Sequence, residues 1–143
     1  MSKVTIAYWS GTGNTEEMAK LIAKGVEEGG AEAVLQEIEE ISAADLKDEA
    51  IIALGCPSMG DEVLEETIVE PFVSDLEGSL GGKKVALFGS YGWGDGEWMR
   101  DWENRVKDAG AVLIQDAGLI ANEAPDDEAS EKCIELGKAL ASA

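Results

Sequence analysis

An apolar run, Val4-Thr5-Ile6-Ala7-Tyr8, leads directly into Trp9-Ser10-Gly11-Thr12-Gly13-Asn14-Thr15 and then into Glu16-Glu17-Met18-Ala19-Lys20-Leu21-Ile22. The first segment reads as a buried strand and the last has helical spacing, so the middle is a strand-to-helix turn. In an α/β protein that turn is where an anion sits, because free backbone N–H groups and the positive helix end converge on one spot. Gly11 and Gly13 let the backbone approach closely, while Ser10, Thr12, Asn14 and Thr15 add side-chain donors. Neither Lys nor Arg stands in the turn. A phosphate held here would rest on neutral donors and the helix end alone.

Two nucleotide motifs fail against this turn. A Walker loop ends in Gly-Lys-Ser/Thr, and Gly13-Asn14-Thr15 lacks the lysine. A dinucleotide fingerprint needs a third Gly or Ala, and Glu16 occupies that place. A monophosphate suits the turn better than either. The alternative is a tight turn with no ligand, which leaves four adjacent hydroxyl or amide side chains without a use.

Apolar periodicity predicts strands at 4–9, 33–37, 51–55, 84–90 and 112–119. Between them lie helical patterns at 15–28, 43–46, 66–76, 97–109 and 126–141. Pro71 either kinks the third of these or opens a second segment. Trp98, Trp102 and Val106 form the inward stripe of the fourth, and Cys133 lies on that of the last. Strands alternating with helices call for one domain over 1–143, a doubly wound parallel sheet with helices on both faces. The loops after strands one, three and four then share the rim where such folds bind ligands.

Charge narrows the partners. Eleven basic and thirty acidic residues give a net charge of −19, which argues against nucleic acid and anionic membranes and favours basic protein surfaces. Generic acidic solubility is the plainer reading of the same number. The chain has no histidine, so neither a Ser-His or Cys-His nucleophile nor a His-ligated metal can be built. Cys56 and Cys133 form no C-x-x-C pair. No apolar run approaches the roughly 20 residues of a membrane span, and no secretory signal is visible, so a cytoplasmic location is expected.

The other two rim loops are Gly55-Cys56-Pro57-Ser58-Met59-Gly60-Asp61-Glu62 and Ser90-Tyr91-Gly92-Trp93-Gly94-Asp95-Gly96-Glu97. An aromatic set among glycines suggests a cover for a flat ligand, and Met59 offers an adaptable side chain for the other face. Each could equally be a partly buried loop residue. Together with the phosphate turn they describe a planar ring on a phosphorylated tail.

With these three segments the chain resembles flavodoxins, small FMN-binding electron carriers, over essentially its full length. Lacking a long insertion near its last strand, it looks like a short-chain, clostridial-type member. The resemblance implies a five-stranded sheet of order 2-1-3-4-5, carried over from the family and not read from periodicity. It implies that Ser10, Thr12, Asn14 and Thr15 bind the FMN phosphate beside Gly11 and Gly13. Trp93 would stack on one face of the isoalloxazine and Met59 on the other. The Gly60-Asp61 peptide would lie near flavin N5, with the Gly60 carbonyl turning toward the N–H that one-electron reduction creates. Ser58, Ser90, Tyr91, Gly92 and Gly94 complete the cofactor set, with Asn122 as a further candidate.

Six carboxylates, of Asp61, Glu62, Glu65, Glu66, Asp95 and Glu97, would disfavour the anionic hydroquinone and steer the flavin edge toward partners. The implied function is low-potential one-electron transfer, mainly between semiquinone and hydroquinone, in place of ferredoxin. Its partners would be redox enzymes with basic docking surfaces that otherwise use ferredoxin, served by a monomer that is a carrier and not an enzyme. Two rivals stand beside it: an FMN-dependent quinone or nitro-compound reductase, and a specialised activator of one metalloenzyme.

Overall fold

Three runs of residues in this chain have no solvent-facing side: 4–8, 52–56 and 85–90 are buried throughout. Strands covered on both faces belong to parallel sheets flanked by helices, and a computed structural model, which describes residues 3–59, 62–92 and 94–143, has that architecture. The strands are β1 (Lys3–Tyr8), β2 (Glu32–Glu37), β3 (Ile51–Gly55), β4 (Lys84–Tyr91), β5 (Val112–Leu113) and β6 (Leu119–Asn122). Their order is β2-β1-β3-β4-β5, with β6 also on β4, and every pair is parallel. The helices are α1 (Asn14–Glu28), α2 (Ala43–Leu46), α3 (Val69–Leu76), α4 (Glu97–Asp108) and α5 (Asp127–Ala141).

Strand alternation divides the core in two. Val4, Ile6, Ala53, Ala86 and Phe88 point to one face, where Met18, Ile22 and Val26 of α1 meet Cys133, Leu136 and Leu140 of α5. Ala7, Ile52, Leu54, Val85 and Leu87 point to the other, against Phe72 and Leu76 of α3 and Trp98, Trp102 and Val106 of α4. The small residues Ala53 and Ala86 leave room for Phe88 and the two closely packed helices above them.

Two expectations change. The strand predicted at 112–119 is broken. Val112–Leu113 pairs with Lys84–Val85, and Leu119–Asn122 pairs with Phe88–Tyr91. Between them Gln115 (φ 65°) and Asp116 (φ 61°) turn left-handed, because a polar pair interrupts the apolar pattern there. Gly118 then presses on α4: a Cβ there would stand 2.2 Å from Met99 Sδ, and its N–H donates to Glu103 Oε2 at 2.7 Å. The helix predicted at 66–76 starts only at Val69. Pro71 therefore falls in the first turn, where its missing N–H costs nothing, and the helix is neither kinked nor split.

Candidate functional site

The turn after β1 is built to leave donors free. Gly13, at φ 98°, forms the N-cap of α1 and has no side chain with which to cap it. Ser10 Oγ instead accepts from the N–H groups of Gly13 (3.0 Å) and Glu16 (3.3 Å), folding the turn against the helix end. Among the described residues, the N–H groups of Thr12, Asn14 and Thr15 find no protein acceptor. Gly11 lies on the Trp9 ring, which a Cβ would approach to 3.3 Å. Thr15 is fully buried, and its hydroxyl meets Ser90 Oγ at 3.1 Å.

After β3 the chain makes a hairpin. Met59 and Val63 exchange two backbone hydrogen bonds of 2.9 Å each, and Ser58 N–H donates to the Ser90 carbonyl at 3.0 Å. Glu62, left-handed at φ 57°, turns its carboxylate to the start of α4, where Oε1 accepts from Gly96 N–H (3.1 Å) and Glu97 N–H (3.0 Å). The third element follows β4. Tyr91 tilts against Trp98 with ring centroids 5.8 Å apart, and its carbonyl accepts from Asn122 Nδ2 (3.2 Å) at the end of β6 and from Glu123 N–H (2.8 Å) just past it.

These elements enclose a cleft of about 450 Å³ at the carboxyl ends of the strands, within the span of about 300–1,000 Å³ usual for small-molecule sites. Gly11, Thr12 and Asn14 line it from the first turn and Pro57, Ser58 and Met59 from the second. Ser90, Tyr91 and Gly92 line it from the third, with Glu123 beside them. Ser10, Gly13 and Thr15, also expected to hold the cofactor, belong to the same turn but do not line the cleft. Gly94 stands against Glu62, whose carboxyl carbon is 2.3 Å from where a Cβ would be. Gly60, Asp61 and Trp93 lie outside the described residues. Glu123 was not among the predicted residues; it reaches the cleft only because the last strand breaks and resumes beside Tyr91.

Residues 6–137 match the family model of flavodoxin. The chain belongs to the flavodoxin family. It is 52% identical to a flavodoxin of Clostridium beijerinckii, over 95% of this chain and 97% of that protein. It is 51% identical to a flavodoxin of Megasphaera elsdenii, over 98% and 99%. The solution structure of the two-electron reduced Megasphaera elsdenii flavodoxin superposes with a TM-score of 0.90, covering 98% of this chain and 99% of that one. As a flavodoxin the chain is an FMN-binding electron carrier and not an enzyme. Its residues fit that cofactor: unpartnered N–H groups at a helix N-terminus suit a phosphate, and the Met59–Tyr91 walls suit a ring.

The acids of this flavodoxin separate by environment. Glu62 and Glu65 are buried. Glu65 caps α3, accepting from Thr67 N–H and Oγ1, from Ile68 N–H at 2.6 Å and from Val69 N–H at 3.1 Å. Burial alone would raise its pKa, but these donors outweigh burial and hold it below the ordinary carboxylate range. Glu66, Asp95, Glu97 and Glu123 are exposed, and Asp95 pairs with Arg100 at 2.9 Å. Cys56 lies beneath the hairpin, where burial pushes its thiol up to about 12. Among the described residues, no helix is long and apolar enough to cross a membrane.

Proposed function

We propose that residues 1–143 work as one FMN-binding domain that carries single electrons at low potential. It would use chiefly the second and more negative of the cofactor's two one-electron steps, in place of a ferredoxin. The observation that carries this reading is a cleft with no Lys or Arg among its described lining residues, set in a chain of net charge −19. FMN supplies a planar ring that takes up electrons one at a time.

The chain supplies the surroundings. The N–H groups of Thr12, Asn14 and Thr15, with the side chains of Ser10, Thr12 and Asn14, hold the phosphate at the α1 N-terminus. Ser58, Ser90 and the backbone of Gly92 give polar contacts along the cleft, while Met59 and Tyr91 exclude water from the ring. Gly60, Asp61, Trp93 and Gly94 would complete the cofactor set, as the resemblance implies. Glu123 on the cleft wall and the exposed Glu66, Asp95 and Glu97 disfavour added negative charge. Each tenfold loss of affinity for the more reduced form lowers that couple by about 59 mV.

The same carboxylates favour partners with basic docking surfaces, met by a monomer in the cytoplasm. The test is electron delivery from the FMN-loaded chain to a ferredoxin-dependent oxidoreductase under anaerobic conditions. Delivery that weakens steeply with added salt supports the proposal. Steady NAD(P)H-driven reduction of quinones or nitro compounds by the chain alone would favour the reductase reading instead.

A further inference from the structure

Where the last strand resumes, α4 holds it. Gly118 follows the left-handed pair Gln115 and Asp116 and directly precedes β6. Among the described residues its N–H has no backbone acceptor and donates instead to Glu103 Oε2 at 2.7 Å. Met99, one turn before Glu103 on the same face of α4, leaves no space for a side chain at Gly118, whose Cβ would stand 2.2 Å from the Met99 Sδ. At its other end β6 pairs Asn122 with Tyr91, and Glu123 N–H donates to the Tyr91 carbonyl at 2.8 Å. Tyr91 and Glu123 line the cleft, and Glu103 does not. Among the described residues Glu103 makes no ion pair.

We infer that Glu103 is a positioning residue: by holding Gly118 it fixes where β6 resumes on β4, and through β6 it sets the place of Glu123 on the cleft wall. The direction of the bond is unambiguous, because a backbone N–H donates and a carboxylate accepts. Bonds to a charged acceptor are shorter and stronger than neutral ones, which suits a chain that has just left the sheet through two left-handed residues. Only the four residues of β6 separate Gly118 from Glu123, so a shift at the start of so short a strand reaches its end. The inference rests on the reading of the cleft as an FMN site with Glu123 as a charge on its wall.

The first measurement needs no flavin. Amide hydrogen exchange is compared in the unsubstituted chain, in Glu103→Ala and in Glu103→Gln, whose amide oxygen can still accept. Exchange at Glu123 should quicken about tenfold in Glu103→Ala, the worth of one hydrogen bond, and stay near the parent rate in Glu103→Gln, while Leu136 and Leu140 in the α5 core remain slow. Unchanged exchange at Glu123, or a change there no larger than in the α5 core, overturns the inference. So does a Glu123 amide that is unprotected in the unsubstituted chain, since nothing would then be held.

The second measurement is the potential of the second one-electron step in the FMN-loaded chain. Glu123→Gln should raise it by removing a charge from the wall. Glu103→Ala should raise it too, by letting that charge move away, Glu103→Gln should not, and Glu103→Ala should add nothing in a Glu123→Gln background. The inference fails if Glu103→Gln shifts the potential as far as Glu103→Ala, because the Glu103 charge and not its hydrogen bond would then be acting. It fails equally if the effect of Glu103→Ala persists without the Glu123 charge, or if Glu103→Ala has no effect where Glu123→Gln has one. Failure to bind FMN, or a Glu123→Gln chain of unchanged potential, would instead sink the reading of the cleft or of its wall charge, and the exchange at Glu123 alone would decide the role of Glu103.

Discussion

Gly137 of α5 faces Gly25 of α1 so closely that a Cβ on Gly137 would stand 2.8 Å from the Gly25 Cα and 2.1 Å from the Ile22 carbonyl oxygen. The contact is reciprocal, since a Cβ on Gly25 would stand 2.0 Å from the Ile134 oxygen. These two bare surfaces seat α1, which follows the cleft-lining turn after β1, on α5, whose residues do not line the cleft.

Gly137→Ala is therefore expected to destabilise the fold by about 2–3 kcal/mol, the upper part of the range for an overpacked methyl, because backbone atoms cannot rotate away. Urea denaturation of the ligand-free protein measures it. A loss below about 0.5 kcal/mol would show that the helices separate easily.

Replacing Glu65 by Gln removes a charged cap from α3 and should cost about 1–2 kcal/mol at neutral pH. The sign with pH follows from the direction of its shift. Its folded pKa is lowered, so the stability it contributes is complete above the unfolded value of about 4.3 and disappears as pH falls through the folded value. The difference in stability between Glu65→Gln and the parent chain should shrink on acidification. A difference that is constant from pH 7 to pH 3 would contradict the capping role.

Both cysteines should be inert while the protein is folded. Burial pushes Cys56 and Cys133 up to about 12, and both are 0% exposed, so neither thiolate nor access is available. A thiol reagent at pH 8 is expected to label them only on unfolding, at a rate that tracks global opening. Fast labelling of Cys56 alone would show that the chain packed over it around the Met59–Val63 bridge opens locally.

Much of this arrangement is visible in the sequence because burial and charge are written in one-dimensional patterns there. The runs 4–8, 51–55 and 84–90 announce covered strands, and the inward stripe of Trp98, Trp102 and Val106 marks the buried face of α4. The break after Leu113 is harder to see, since Val112-Leu113-Ile114 and Leu119-Ile120 read as one strand unless Gln115-Asp116 is known to turn left-handed. Glu123 enters the cleft as a consequence of that break. Glu62 and Glu65 look like any solvated acids in a chain with thirty of them; only the nearby N–H groups of α4 and α3 reveal them as caps.

The phosphate turn offers a charge test. Asn14→Asp would put a carboxylate among donors that now carry no formal charge, and repulsion between unit charges a few ångströms apart is worth about 1–4 kcal/mol near a protein surface. FMN affinity should fall by more than about tenfold, and by less at high salt. Riboflavin affinity should change little. An equal loss for both flavins would mean that the substitution disturbs the fold of the turn and not a phosphate within it.

The most direct measurement is an anaerobic reductive titration of the FMN-loaded chain, followed by visible absorption. A one-electron carrier is expected to show a long-wavelength band of half-reduced flavin that rises with the first electron and falls with the second. Direct bleaching to the fully reduced form, with no such band at any stage, would contradict the account and indicate a two-electron reductase on the same fold.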